Sequence, residues 1–148
     1  MPELVFFIIN ILSLIVLSAF FSSSETALTA VSEPRIHQLA LQGNKRAIII
    51  QKILAKKEKM ISSILIGNNL VNIIASVYAT SFAINFFGEY GLVVITVLLT
   101  IILVIFAEVI PKTYAYNHAD QTALLVAPII NFIIVILTPA TFITERFA

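Results

Sequence analysis

The chain has 148 residues, of which 59% are hydrophobic and only 11% are charged. Soluble domains carry about 25% charged residues, so this composition excludes an ordinary soluble domain and indicates a single membrane domain over residues 1–148. The net charge of +1 says little about partners. We expect no nucleic-acid binding, because most of the basic residues lie in one segment that is tied between predicted membrane spans. The absence of cysteine excludes disulfides, thiolate metal sites and cysteine nucleophiles.

The first apolar run begins at Leu4, and residues compatible with a helix continue to about residue 30. About 17 apolar residues are enough to cross a hydrocarbon core of about 30 Å. The start of the chain has no basic segment and no A-x-A pattern, so we expect a retained span over about 4–30 rather than a cleaved signal. The polar residues Ser22, Ser23, Ser24 and Glu25 close the apolar run.

The next segment is basic and amphipathic, and it predicts short juxtamembrane helices over about 33–58. Seven of the nine Lys and Arg residues lie between Arg35 and Lys59. The positive-inside rule places such a segment in the cytoplasm. The N-terminus is then expected outside the cell.

Two further spans are predicted over about 60–87 and 91–115, joined by a tight turn at residues 88–91. A fourth apolar run, over about 121–138, is marginal in length for a span. It either crosses the membrane or lies along the inner interface as a belt, and we favour the belt. The fold class predicted from the residues is therefore an all-α membrane protein with three transmembrane helices and a C-terminal interfacial helix, ending in the cytoplasm.

Polar clusters interrupt each predicted span. Asn68 and Asn72 are spaced i, i+4 and share one helical face about 12 Å or more below the cytoplasmic end of the second span. Glu108, just before Pro111, closes the third span. Buried polar groups in a membrane are costly and mark ion or substrate pathways. Hydroxyl, amide and carboxylate oxygens suit a hard cation such as Mg²⁺ or Na⁺.

Other interpretations of the same residues stay open. Intramembrane Asn and Ser also join helices by hydrogen bonds alone. Glu108 has a possible ion-pair partner in Lys112, four residues later. Small residues such as Ala75, Ser76 and Ala79 suggest a helix interface between two copies of the chain.

Three short motifs follow one another along the chain: Phe-Ser-Ser-Ser-Glu-Thr-Ala-Leu from Phe21, Gly-Asn-Asn-Leu-Val-Asn from Gly67, and Glu-Val-Ile-Pro-Lys from Glu108. In this order and spacing they resemble the transmembrane domain of the CorC / cyclin M family of magnesium transporters. The resemblance covers essentially the whole chain. It implies a homodimer in the inner membrane with three spans, juxtamembrane helices and a belt helix. It also implies that the third span is distorted near its proline.

The family activity implied is Mg²⁺ export, in exchange for Na⁺, from an inward-facing cavity. The positions that match the family's magnesium ligands are Ser22, Asn68, Asn72 and Glu108, although three serines stand in a row at the first of them. Family members carry regulatory CBS domains after this one. These 148 residues contain none, so we expect nucleotide-dependent regulation to lie outside the chain.

Two rival functions differ in class from transport. A magnesium sensor or scaffold would bind the ion without moving it, whereas a plain membrane anchor would bind none. An enzyme is not expected, because the sequence has no H-E-x-x-H motif and no His near a serine within the spans.

Overall fold

A computed structural model describes residues 2–147, with the side chains of residues 144 and 145 excepted. The part described consists of helices joined by short turns and contains no strand, so the predicted all-α membrane fold is confirmed. Its helices are α1 (Pro2–Ala30), α2 (Glu33–Leu41), α3 (Lys45–Leu54), α4 (Lys57–Ile102), a π-helical segment (Leu103–Val109), α5 (Ile110–Asn117), α6 (Ala119–Ile136) and α7 (Thr138–Phe147).

Three stretches are long and apolar enough to cross a membrane: Pro2–Ala30, Lys57–Asn117 and Ala119–Ile136. The second stretch has 61 residues, about twice the length one span requires. It is broken at Gly88, whose φ of 69° and ψ of −156° lie outside the helical region. A positive φ of this kind favours glycine, which has no Cβ.

The chain reverses direction at Gly88. The π-helical segment that follows packs against α1, the helix that Tyr78 and Phe82 before the turn also contact. A straight continuation would carry that segment more than 20 Å beyond Gly88, at about 1.5 Å per residue. The 61 residues therefore form two antiparallel legs, residues 57–87 and 89–117. We call the end of the bundle at Gly88 the turn end, and the end that carries α2 and α3 the basic end.

The first leg of α4 packs against α1 through a ridge of small side chains. Its buried positions recur every fourth residue: Gly67, Val71, Ala75, Ala79 and Ala83. Small residues let helix backbones approach closely where no hydrophobic effect drives them together. Ala75 and Ala79, which suggested an interface between copies, are instead buried within the single chain, at 1% and 2% exposure.

The helices α2 and α3 are separated by a capped turn. Gly43 has a φ of 89°, and Asn44 follows it as the N-cap of α3. The Asn44 side chain accepts hydrogen bonds from the backbone N–H groups of Arg46 and Ala47. These bonds satisfy donors that the first turn of a helix leaves free.

The helix α6 is tied to the basic segment at its start and again further along. Asp120 accepts a 2.9 Å hydrogen bond from the backbone N–H of Ser32 and lies 3.5 Å from the Arg35 guanidinium. Arg46 donates to the carbonyl of Leu124. These contacts bring α6 alongside α2 and α3, and they bear on whether it crosses the membrane.

The core lies toward the basic end. It joins α1 with α2, α3, α6 and the start of α4, and it includes Leu28, Ile36, Ile50, Met60 and Ile130. The second leg of α4 is largely exposed along its apolar residues, with Val93 at 64% and Val97 at 53%. An apolar surface of this kind requires a lipid or protein environment rather than water.

Candidate cation site within the helix bundle

The polar centre of the bundle is a contact between α1 and the first leg of α4. The Ser18 hydroxyl lies 3.0 Å from Oδ1 of Asn68 and 3.0 Å from Oδ1 of Asn72. The two asparagines converge because they lie one helical turn apart on the same face. Ser18 has a single proton to donate. Two amide oxygens thus compete for one donor, which leaves the site rich in acceptors.

Ser22 lies one turn further along α1, on the face that carries Ser18. Its side chain is 1% exposed. Its Oγ is the one buried side-chain oxygen or nitrogen in the described part of the chain that has no hydrogen-bond partner. The neighbouring hydroxyls of Ser23 and Ser24 donate to the backbone carbonyls of Ala19 and Phe20. Ser22 therefore differs from its two neighbours in keeping an unused polar atom.

A close approach of α1 and α4 lies beside this serine. A Cβ added to Gly67 would come within 2.7 Å of the Phe21 ring. That distance is shorter than real Cβ contacts, so a larger residue at this position would require the Phe21 ring to shift. The Phe21 ring is itself 7% exposed, and it packs in the core beside the polar residues. The contact fixes the register of α1 against α4.

Glu108 lies in the π-helical segment Leu103–Val109. The wider turn is visible in the backbone, where the N–H of Ile110 donates to the carbonyl of Ile105, five residues earlier. Pro111 has no N–H to donate, so it interrupts the α-helical bonding pattern at this point. Short π-helical turns are frequent at functional sites. The segment packs against α1, and Glu108 is half-buried.

The charge on Glu108 has no partner among the residues described. The ion pair that the described residues form joins Arg35 to Asp120. The alternative pairing of Glu108 with Lys112 is therefore absent from this structure. No group of three or more His, Cys, Asp or Glu side chains lies close enough to hold a metal in residues 2–147. A cation at this place would therefore depend on one carboxylate and several neutral oxygens.

The structure brings together some of the predicted ligands and not others. Asn68 and Asn72 share a single hydrogen-bond donor, and Ser22 lies one turn from that donor. Glu108 is on a segment that contacts α1, but it makes no hydrogen bond to Ser22 or to either asparagine. Sequence reasoning missed Ser18, although its position four residues before Ser22 is the signal that would have found it.

The chain is similar to known proteins over a range that includes all the residues of this site. The family described as the cyclin M transmembrane N-terminal domain matches residues 8–148. A UPF0053 protein from Haemophilus influenzae is 40% identical over 99% of the chain, and the UPF0053 inner membrane protein YfjD from Escherichia coli is 41% identical over 72% of it. A more distant relative, named a polyamine export protein in Haemophilus influenzae, is 26% identical over 99% of the chain.

The chain spans only part of each of these relatives. It covers 34% of the first, 25% of the second and 37% of the third.

Proposed function

The chain belongs to the cyclin M transmembrane domain family, and from this membership we propose that it exports Mg²⁺ across the inner membrane in exchange for Na⁺. The ion is proposed to bind between α1, the first leg of α4 and the π-helical segment. Its ligands are the side chains of Ser22, Asn68, Asn72 and Glu108. Family membership supports a membrane domain with a transport-related role. Mg²⁺ as the cargo and Na⁺ as the coupling ion are proposed beyond it.

The unpartnered Oγ of Ser22 carries the proposal. A buried hydroxyl without a hydrogen-bond partner costs about 1–3 kcal/mol of folding free energy. In this chain the unpaired hydroxyl lies one helical turn from Ser18, whose single proton two amide oxygens share. A bound cation would satisfy all three oxygens at once, whereas a purely structural contact between helices gives no reason for the surplus of acceptors.

The chemistry of Mg²⁺ fits such a site. The ion prefers near-octahedral oxygen ligands at about 2.0–2.1 Å and gives up water reluctantly. Neutral oxygens from Ser22 and the asparagines would replace part of the hydration shell, and the Glu108 carboxylate would offset the charge. Because the ligands come from three helical segments, a shift of one segment would open the site, as alternating access requires.

The first test is the thermal stability of the detergent-solubilised chain against Mg²⁺, with Glu108→Gln as the site variant. A ligand that binds only the folded protein adds about 2.7 kcal/mol to the unfolding free energy at 100 times its Kd. We expect this stabilisation in the wild type and its loss in Glu108→Gln. The matched control is Glu89→Gln, which makes the same chemical change next to the turn at Gly88. Equal stabilisation of all three proteins would rule out the proposed site.

Flux in liposomes then separates transport from sensing. We expect Mg²⁺ movement that depends on an opposing Na⁺ gradient and is lost in Glu108→Gln. Binding without flux would favour the sensor or scaffold, and no binding would favour the membrane anchor.

A polyamine is the second candidate cargo, because one relative is named a polyamine export protein. Ammonium groups donate hydrogen bonds, and the acceptor-rich centre at Ser18, Asn68 and Asn72 would accept them. The stability assay with spermidine in place of Mg²⁺ decides between the two candidate cargoes. Stabilisation by spermidine alone would assign the site to the organic cation.

A further inference from the structure

A cavity of about 140 Å³ lies at the basic end, where α3, the start of α4 and the end of α6 meet. Lys52, Lys56 and Lys59 line one side of it, and Asn131 of α6 and Thr138, the first residue of α7, line the other. The cavity is separate from the polar centre of the bundle and shares no residue with it. The lysines come from two helices and the linker between them, so the fold itself brings them together.

The lysine and asparagine side chains around this cavity have no protein acceptors among the described residues, whereas the Thr138 hydroxyl donates to the carbonyl of Ile134. None of the three lysines forms an ion pair with a side chain that the structure describes, and the ion pair present among those side chains joins Arg35 to Asp120. The Asn131 amide makes no hydrogen bond in the same part of the chain. Glu58 is the nearest carboxylate in sequence, but it is exposed and does not line the cavity. The cavity therefore has three positive charges and an unused amide.

The rest of the cavity is apolar, and the apolar surface continues beyond it. Ile53, Ile134 and Val135 complete the lining. Val135 is 63% exposed, and its neighbours Phe132 and Ile136 on α6 are 64% and 57% exposed. A small inorganic anion would use only the lysines. A molecule with an anionic group and hydrocarbon chains would use both surfaces.

We propose that this cavity binds the phosphate group of an anionic phospholipid, whose acyl chains lie along the exposed apolar residues of α6. Basic pockets between helices near the cytoplasmic surface are suited to acidic headgroups. Lysine ammonium groups are compact point charges that a phosphate oxygen can approach from several directions. Asn131 would donate a further hydrogen bond from the opposite side.

The bound lipid would hold the end of α6 against α3 and α4, as Asp120 holds its start against α2. This inference does not depend on Mg²⁺ transport, because its residues and its ligand differ from those of the cation site.

The test measures lipid binding by the detergent-solubilised chain, with native mass spectrometry as the readout. The probes are dioleoylphosphatidylglycerol and the zwitterionic dioleoylphosphatidylcholine. We expect one tightly bound phosphatidylglycerol and no comparable phosphatidylcholine. Each lysine near an anionic lipid contributes about a fivefold gain in binding. Lys56→Gln combined with Lys59→Gln is therefore expected to weaken phosphatidylglycerol binding about 25-fold.

Two controls separate a built site from diffuse charge. Lys45→Gln combined with Lys57→Gln removes the same charge outside the cavity, and we expect near wild-type binding. Asn131→Leu keeps every charge, and we expect weaker binding. Equal losses in both double variants, with no effect of Asn131→Leu, would overturn the proposal. Circular dichroism checks that each variant is folded.

Soluble compounds distinguish the source of the phosphate. Inorganic phosphate and glycerophosphoglycerol share the charged group but lack acyl chains, so we expect neither to compete with the lipid at equal concentration. Competition by either compound with the affinity of the lipid would assign the cavity to a soluble phosphate compound and contradict the lipid proposal.

Discussion

At the scale of single residues, the three consecutive serines of α1 behave differently. Ser23 and Ser24 donate back to carbonyls one turn earlier, which is the usual way a serine in a helix is satisfied. Ser22 is buried at 1% exposure and lacks any such bond. Native proteins contain few buried polar groups without partners, and each one calls for an explanation. The proposed ligand position of Ser22 would explain this one.

The substitution Ser22→Ala is expected to change stability and ion binding in opposite directions. Without Mg²⁺ it should raise the unfolding free energy by about 1 kcal/mol, because an unsatisfied buried hydroxyl is removed. It should also weaken the stabilisation by Mg²⁺. Thermal denaturation in chelator and in Mg²⁺ measures both effects.

The control for this pair of effects is Ser24→Ala. It removes a satisfied hydroxyl, so it should cost about 1 kcal/mol and leave the Mg²⁺ response intact. A Ser22→Ala protein that is less stable than the wild type but keeps the full response would contradict the assignment.

Gly67→Ala is expected to destabilise the chain by about 1–3 kcal/mol, because its Cβ would meet the Phe21 ring at 2.7 Å. Phe21→Leu should relieve that clash. In a double-mutant cycle, the combined variant should therefore lose less than the sum of the two single losses. Strict additivity would mean that the close contact does not limit the packing of α1 on α4.

At the scale of elements, α6 is held by a polar contact at its start. Asp120 accepts from a backbone N–H and lies near the Arg35 guanidinium. The ion pair is open to solvent on the arginine side, because the Arg35 side chain is 68% exposed whereas that of Asp120 is 19% exposed. Exposed ion pairs contribute about 0–1 kcal/mol, and hydrogen bonds to a charged group contribute about 1.5–3 kcal/mol.

Asp120→Ala should accordingly destabilise the chain by about 1.5–3 kcal/mol, and Arg35→Ala by less than about 1 kcal/mol. The reason is that only the first substitution removes the acceptor of the Ser32 N–H. Chemical denaturation of the two variants in detergent gives the comparison. Equal losses would assign the stabilisation to the ion pair instead.

At the scale of the whole molecule, the contacts of α6 bear on the number of membrane crossings. Its length and composition allow a span. Yet its start contacts α2, its first turns contact α3, and its end meets the lysines of α3 and α4. A helix that crossed the bilayer would carry its two ends about 27 Å apart along the membrane normal. Contacts at both ends with the same basic segment favour a helix parallel to the membrane surface.

Cysteine labelling tests this arrangement, and the chain offers a clean background because it has no native cysteine. Gln121→Cys lies in the first turn of α6 and Pro139→Cys lies just after its end. Gln42→Cys lies in the basic segment, and Glu89→Cys lies at the turn end. We expect an impermeant maleimide to label the first three from one side of the membrane and Glu89→Cys from the other. Labelling of Gln121→Cys and Pro139→Cys from opposite sides would show that α6 spans.

The sequence alone determined the helical membrane fold and the family, because both depend on local properties. The lengths of the apolar runs, the clustering of lysine and arginine, and the order of three short motifs are readable residue by residue. The common face of Asn68 and Asn72 follows from their spacing. The family resemblance implied a distortion of the third span near Pro111, but it did not reveal that the distortion is a π-helical turn around Glu108.

Only the tertiary structure decided which groups meet. The role of Ser18 depends on the antiparallel register of α1 and α4, as does the burial of Ala75 and Ala79 within the chain. The isolation of Ser22 from every hydrogen-bond partner became visible only when all its neighbours were placed. Hydropathy and periodicity specify which face of a helix is buried, whereas the partner of a buried side chain is fixed by contacts between residues about 50 positions apart, such as Ser18 and Asn68.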